Sequence, residues 1–252
     1  MSATSLPTAL LEPHLFSLAG EERLTCDRAE VLRYLGHSGQ AIDADLMARI
    51  DAVIDEVERT ARPRGVWMMT AVDAQALTDG GEPCIRLMGT SIELGGRDIY
   101  RHLKDARWCA VLACTLGLEH ERQLRARGMG SPLEAAVFDA ASSAAIEAAV
   151  ERMDRHIRKL TQSAGFSCNW RFSCGYGDCP LAAQGGILAA LDTGRRLGLT
   201  LTPSGLMLPS KSVTAMIGVF EGAPRSAADA PARCDLCRQK AACSFRARGV
   251  TC

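Results

Sequence analysis

Aromatic side chains are scarce in this sequence: three Trp, three Tyr and six Phe make up 5% of 252 residues. A core must therefore be assembled from Ala, Leu, Val, Ile and Met, and 47% hydrophobic residues are enough to bury one. An excess of charge of either sign is missing too. Lys plus Arg and Asp plus Glu are equal at 29 each, which excludes a whole-domain nucleic-acid footprint, since that needs a basic excess. There is no long hydrophobic run. "WCAVLACTLGL" (108–118) is too short to span a bilayer, and the Ala-rich run near 135–150 is interrupted by Asp139 and Glu147. The N-terminal "MSATSLPTALLEPHLFSLAG" has no basic start leading into an apolar stretch, so no export signal is read. P-loop, nucleophile elbow, dinucleotide fingerprint and internal repeat are all absent. These absences point to a cytoplasmic protein without nucleic-acid or membrane partners. Its eleven cysteines are then mostly thiols or metal ligands.

What is present suggests α+β, a mixture of helices and strands without regular alternation. Residues 1–62 read as a helical N-terminal region. In "DADLMARIDAVIDEVERTAR", Leu46, Ile50, Val53, Ile54 and Val57 recur at helical spacing. A mixed domain over 63–220 follows. "GVWMMTAV", "PCIRLMG" and "WCAVLAC" read as strands. A long alanine-rich helix is predicted from Pro132 to Lys159 and another from Pro180 to Leu197, with Gly198 as its cap. "LTLT" and "VTAMIGVF" read as strands around the loop "PSGLMLPSKS". Residues 221–233, small, polar and proline-bearing, read as a linker to a Cys-rich tail at 234–252.

"RFSCGYGDCPLAAQGG" (171–186) is the stretch with the most concentrated chemistry. The planar fork of Arg171 suits a carboxylate. Gly175 and Gly177 allow positive φ and close backbone approach to a ligand. Backbone N–H groups of such a turn favour an anionic group. Tyr176, between two glycines, can lay its ring beside a flat or cationic ligand. Together they suit an amino-acid-like or nucleoside-like ligand. The same residues also read as a structural turn with a surface arginine.

The sequence from Arg171 to Phe220 resembles the activation domain of cobalamin-dependent methionine synthase. The resemblance rests on the turn Arg171, Gly175, Tyr176, Cys179, Pro180, then on Gly198, Leu201, Thr202, Ser204, then on Met207, Pro209, Ser212 and Val213. Upstream, "RPRGVWMM" (62–69), "CTLGLE" (114–119) and "AAIEAAVERMDRHIRK" (144–159) look like further family segments. "RYLGH" and "GGRDIYRHL" resemble shorter stand-alone relatives, so that the likeness covers 26–220. The resemblance implies a twisted antiparallel sheet flanked by helices that binds S-adenosylmethionine. It implies Arg171 as the residue holding the ligand carboxylate, Ser173 and Gly175 as turn residues whose backbone lines the ligand, Tyr176 as a neighbour, and Glu147 as a helix carboxylate of the same site. Glu147, Glu151 and Arg155 also read as a solvated stripe, being spaced i, i+4, i+8. Three departures stand out: the family's turn is proline-rich where this one reads Cys-Gly-Tyr-Gly-Asp, and neither its N-terminal ligand-binding aspartate nor the aromatic pair beyond its last strand has a clear match.

The second constellation is the tail. Cys234, Cys237 and Cys243 form C-x2-C-x5-C, with Cys252 at the end. Such density is metal-ligand spacing. Without a second C-x2-C knuckle, an iron–sulfur cluster suits it better than zinc; a thiol-rich tail without metal is the alternative. Cys168, Cys174 and Cys179 are candidate replacement ligands, while Cys109 and Cys114 read as small core residues. His102 and His120 lie far from any cysteine pair and read as structural.

Two function classes follow. The first, implied by the resemblance, is a reactivation module that is not active alone. It supports reductive remethylation of cob(II)alamin on a cobalamin-dependent methionine synthase core or other corrinoid methyltransferase, with an electron donor as a further partner. The second is an iron–sulfur protein that reduces or escorts a corrinoid protein without using S-adenosylmethionine.

Overall fold

The computed structural model describes residues 8–18 and 23–222 together with Ala241. Cys234, Cys237, Cys243 and Cys252 lie outside the described residues, as does most of the expected linker. The elements follow in the order β1 (His14–Ser17), α1 (Arg28–Tyr34), α2 (Ala44–Thr60), β2 (Arg64–Asp73), β3 (Cys84–Leu87), β4 (Glu93–Gly95), α3 (Arg97–Leu103), β5 (Trp108–Thr115), α4 (Leu118–Gly128), α5 (Pro132–Ser163), β6 (Phe166–Cys168), α6 (Gln184–Ala190), α7 (Thr193–Leu197), β7 (Thr200–Leu201), β8 (Met207–Leu208) and β9 (Ser212–Glu221). The fold is α+β, as the sequence indicates.

A seven-stranded antiparallel sheet runs β4-β3-β2-β5-β9-β6, with β1 also on β2. Its central strands are apolar on both faces. Trp67, Met69, Ala110, Leu112, Cys114, Ala215, Ile217 and Val219 face one core, with α1, α2 and α5. Val66, Cys109, Val111, Ala113 and Met216 face the other, with α3, α6 and α7. Period-2 alternation of side chains thus feeds two cores from one set of strands. Cys109 and Cys114 take opposite faces, both fully buried, in the role the sequence assigned them.

The helices begin where their caps say. Asp43 accepts from Leu46 N–H at 2.8 Å to start α2, and Ser131 with Pro132 behind it starts α5. On α2, Ile50, Val53, Ile54 and Val57 are buried at the predicted helical spacing. On α5, Ala141, Ala145 and Ala149 are buried against the same core, and such small side chains let neighbouring elements approach closely.

Two expectations need correction. The region 1–62 is not all helix: His14–Ser17 pairs antiparallel with Arg64–Trp67. The reason is an open edge. On β2, β3 reaches only Val72 and Asp73, which leaves the first half of β2 unpaired on that side until β1 covers it. The helix expected over Pro180–Leu197 is broken into a 3-10 turn, α6 and α7. Asp192 takes a left-handed conformation (φ 50°) at the break, and buried Thr193 donates to Leu199 O at 2.8 Å, which turns the chain. Gly198 does cap α7 (φ 69°). "LTLT" contributes only β7, which forms a separate two-stranded ribbon with β8.

Candidate functional site

Phe172 forms an antiparallel bridge to Met216 of β9, with N–H to O distances of 2.8 Å in both directions. Side chains alternate about such a bridge. Phe172 joins the α3–α6 side of the sheet, and Arg171 is directed to the α5 side. There its guanidinium meets one face of α5. Arg171 Nη2 lies 3.3 Å from Glu151 Oε2 and 3.6 Å from Glu147 Oε2, and Nε lies 4.0 Å from Asp154 Oδ2. Residues 147, 151 and 154 fall at i, i+4 and i+7, so helical geometry alone puts them in one row. Buried Asp154 also pairs with Arg158 at 2.9 Å. Arg158 in turn donates to Cys168 O at 3.2 Å and Asn169 O at 2.5 Å, tying the segment before Arg171 to α5.

Beside this row lies a cavity of about 250 Å³, lined by Thr25, Asp27, Glu30, Ala144, Glu147, Ala148, Glu151 and Arg171. Ala144 and Ala148 open it between α1 and α5. Asp27 caps α1, accepting from Ala29 N–H at 2.8 Å, and Glu30 pairs with Arg33. The Arg33 guanidinium sits 4.5 Å over the Tyr34 ring, and burial, then the charge of Glu147, pushes the Tyr34 hydroxyl up from its ordinary value. Four carboxylates against one inward guanidinium favour a cationic ligand bearing a single carboxylate. At this size the cavity takes an amino-acid moiety, since pockets for drug-sized ligands run to ~300–1,000 Å³.

The structure therefore brings Arg171 and Glu147 together, and adds Glu151. Ser173, Gly175 and Tyr176 are not among the cavity's lining residues. The Ser173 hydroxyl donates to Thr214 O at 2.7 Å, Gly175 N–H donates to Cys179 O at 3.0 Å, and the Tyr176 ring is 68% exposed. Asp27 and Glu30 were missed by sequence reasoning. The signal for Asp27 was local, an acid directly before a helix, and spoke of capping rather than binding. Among the described residues, no group of three or more His, Cys, Asp or Glu side chains could hold a metal ion. None of their helices is long and apolar enough to cross a membrane. A second, more open cavity of about 310 Å³ between α6, α7 and β7 has Asp192 as its only ionisable lining residue, and Arg195 engages that carboxylate at 2.6 Å.

No family model matches the sequence, and no curated protein matches it. Among solved structures, the chain is similar to the crystal structure of the MetH reactivation domain bound to AdoHcy, with a TM-score of 0.61 and 16% identity over 96% of this chain and 87% of that one. At that identity the likeness is one of fold: the helix-flanked antiparallel sheet described here is the fold of that reactivation domain.

Proposed function

We propose that this protein binds S-adenosylmethionine and presents its methyl group to a cobalamin carried by a partner, so restoring a corrinoid methyltransferase that has been oxidised to cob(II)alamin. The observation that carries the reading is the convergence of Arg171, Glu147 and Glu151 on one cavity. The MetH reactivation domain, of the same fold, is bound to AdoHcy in its solved structure.

The roles follow from chemistry. Arg171 releases its helix carboxylates and takes the ligand carboxylate in its planar fork. Glu147 and Glu151, freed from Arg171, accept from the ligand ammonium, and the acidic surround offsets the sulfonium charge. Backbone at Ser173 and Gly175, with the exposed ring of Tyr176, closes over the nucleoside that the cavity is too small to enclose. When bound on its partner, the cobalamin supplies the metal that accepts the methyl group once a separate donor has delivered one electron. The partner is a cobalamin-dependent methionine synthase core or a related corrinoid enzyme, and its docking is transient, because the carrier must also reach its other substrates.

Calorimetry with S-adenosylhomocysteine tests the ligand. Wild-type protein is expected to bind, and Arg171→Ala to weaken binding by about 2–3 kcal/mol, the range for a charge-assisted pair shielded from water. Equal affinity in the two proteins removes Arg171 from the site. The activity is tested by mixing the protein, S-adenosylmethionine and a reductant with the host's corrinoid methyltransferases in the cob(II)alamin state. If the methylcobalamin spectrum returns with none of them, the reading is wrong.

A further inference from the structure

Cys174 and Cys179 stand at the two ends of the glycine-bearing turn. Three backbone hydrogen bonds close it: Tyr176 N–H to Ser173 O at 3.3 Å, Cys179 N–H to Tyr176 O at 3.0 Å, and Gly175 N–H to Cys179 O at 3.0 Å. These bonds draw the two cysteine backbones together. Both side chains enter the same apolar cluster beneath the turn, at 6% and 3% exposure. Neither is bonded to another cysteine. Cys109 and Cys114 differ: they sit fully buried in the sheet, and burial pushes both up to about 12.

We propose that Cys174 and Cys179 form a dithiol redox site, closing to an intramolecular disulfide that locks residues 174–179 against the start of α3. Cys174, the more exposed of the two at 6% and followed directly by the exposed residues 175–177, is the attacking sulfur. With a small disulfide such as glutathione disulfide as oxidant, the Cys174 thiolate attacks one sulfur, forming a mixed disulfide and expelling one glutathione thiolate. Cys179 then gives up its proton and attacks the Cys174 sulfur, expelling the second. Two protein thiols are oxidised by two electrons, and one disulfide is reduced to two thiols.

Access and consequence both lie in the turn. Residues 175–177, the turn between the two cysteines, are exposed, so opening of that turn admits the oxidant. Asp178, inside the ring that the disulfide closes, accepts from Arg97 N–H at 2.9 Å and Asp98 N–H at 3.0 Å at the start of α3. Contact is close on both sides of this junction. A Cβ on Gly96 would lie 2.6 Å from Asp178 O, and one on Gly177 would strike the Asp98 carboxylate. A covalent link between the two ends of the turn removes conformations in which they separate, so closure tightens the loop and steadies the cap it carries.

The test needs no ligand, so its outcome is independent of the S-adenosylmethionine reading. The full chain is treated with glutathione disulfide under native conditions, alkylated, and digested with trypsin. The peptide 172–195 carries both cysteines and no other. It is expected to be two hydrogens lighter and unalkylated, and Cys179→Ser is expected to retain glutathione on Cys174 while Cys174→Ser leaves Cys179 free. Amide exchange at 175–178 and at Arg97 and Asp98 should slow in the oxidised form. Alkylation of both sulfurs in the treated wild type, bonding of either to a different cysteine, or exchange unchanged by oxidation overturns the proposal. The wild-type peptide decides even if a serine variant fails to fold.

Discussion

Arg171 shows how much one side chain depends on its shape. It sits among three carboxylates, so a plain positive charge would satisfy the ion pairs seen here. Ligand binding asks for more, because a carboxylate is held bidentately only by the guanidinium fork. Arg171→Lys is therefore expected to keep the folded stability of the wild type yet lose most of the affinity for S-adenosylhomocysteine. Calorimetry paired with thermal melts separates the two. His120 makes a different case. It is buried, stacked on Phe138, with Nε2 2.7 Å from Ser142 Oγ. Burial, followed by the charge of Lys211, lowers its pKa to about 4. The unfolded chain takes up this proton near pH 6.5 and the folded one does not, so the stability from a neutral His120 is intact above pH 6.5 and drains away as pH falls towards 4. The loss between pH 6.5 and 5 is on the order of 2 kcal/mol. Urea unfolding at both pH values should show it in the wild type and show a smaller loss in His120→Gln; an equal loss in both places the sensitivity elsewhere.

Among the elements, β6 and the stretch behind it depend on Asn169. Its side chain accepts from Gly218 N–H at 2.7 Å and donates to His102 O at 2.8 Å, so one residue joins β9 to the end of α3 next to Arg171. Asn169→Ala removes both bonds and strands two polar backbone groups at a partly buried junction. A loss of about 2–3 kcal/mol is expected, from the ~1 kcal/mol of each bond plus the desolvation of what is left unpaired. Denaturant titration measures it, and a change within 0.5 kcal/mol, the usual range for a surface substitution, would show that water replaces the amide. Because the same segment carries Arg171, ligand affinity should fall as well.

At the scale of the whole molecule, β9 ends at Glu221, and Gly222 N–H donates to Gly165 O at 3.2 Å, the last tie to the sheet among the described residues. Removing residues 223–252 is expected to leave the melting temperature and ligand binding unchanged. The tail reading is tested by the same pair of proteins, purified anaerobically and analysed for metal. Iron, or failing that zinc, should appear in the full chain and vanish with the tail. Neither metal in the full chain would end the proposal that Cys234, Cys237, Cys243 and Cys252 bind one.

Much of this architecture is local chemistry that the sequence by itself determined. The apolar runs of β2, β5 and β9, the helical spacing on α2, the Pro132 start of α5 and the cap at Gly198 each depend on neighbours a few residues away, so pattern and propensity suffice. Arg171 and its glycine-flanked turn were legible for the same reason, as a dense local run. Only the tertiary structure decided where long-range contacts compete with local preference. β1 exists because β2 offers an open edge, a fact about the placement of β3 and not about "HLFS". The break at Asp192 suits a chain whose Thr193 is anchored to Leu199. The acidic cavity is the plainest example. Asp27 and Glu30 lie far from Arg171 along the chain, and only the packing of α1 on α5 sets them around the same few ångströms of space.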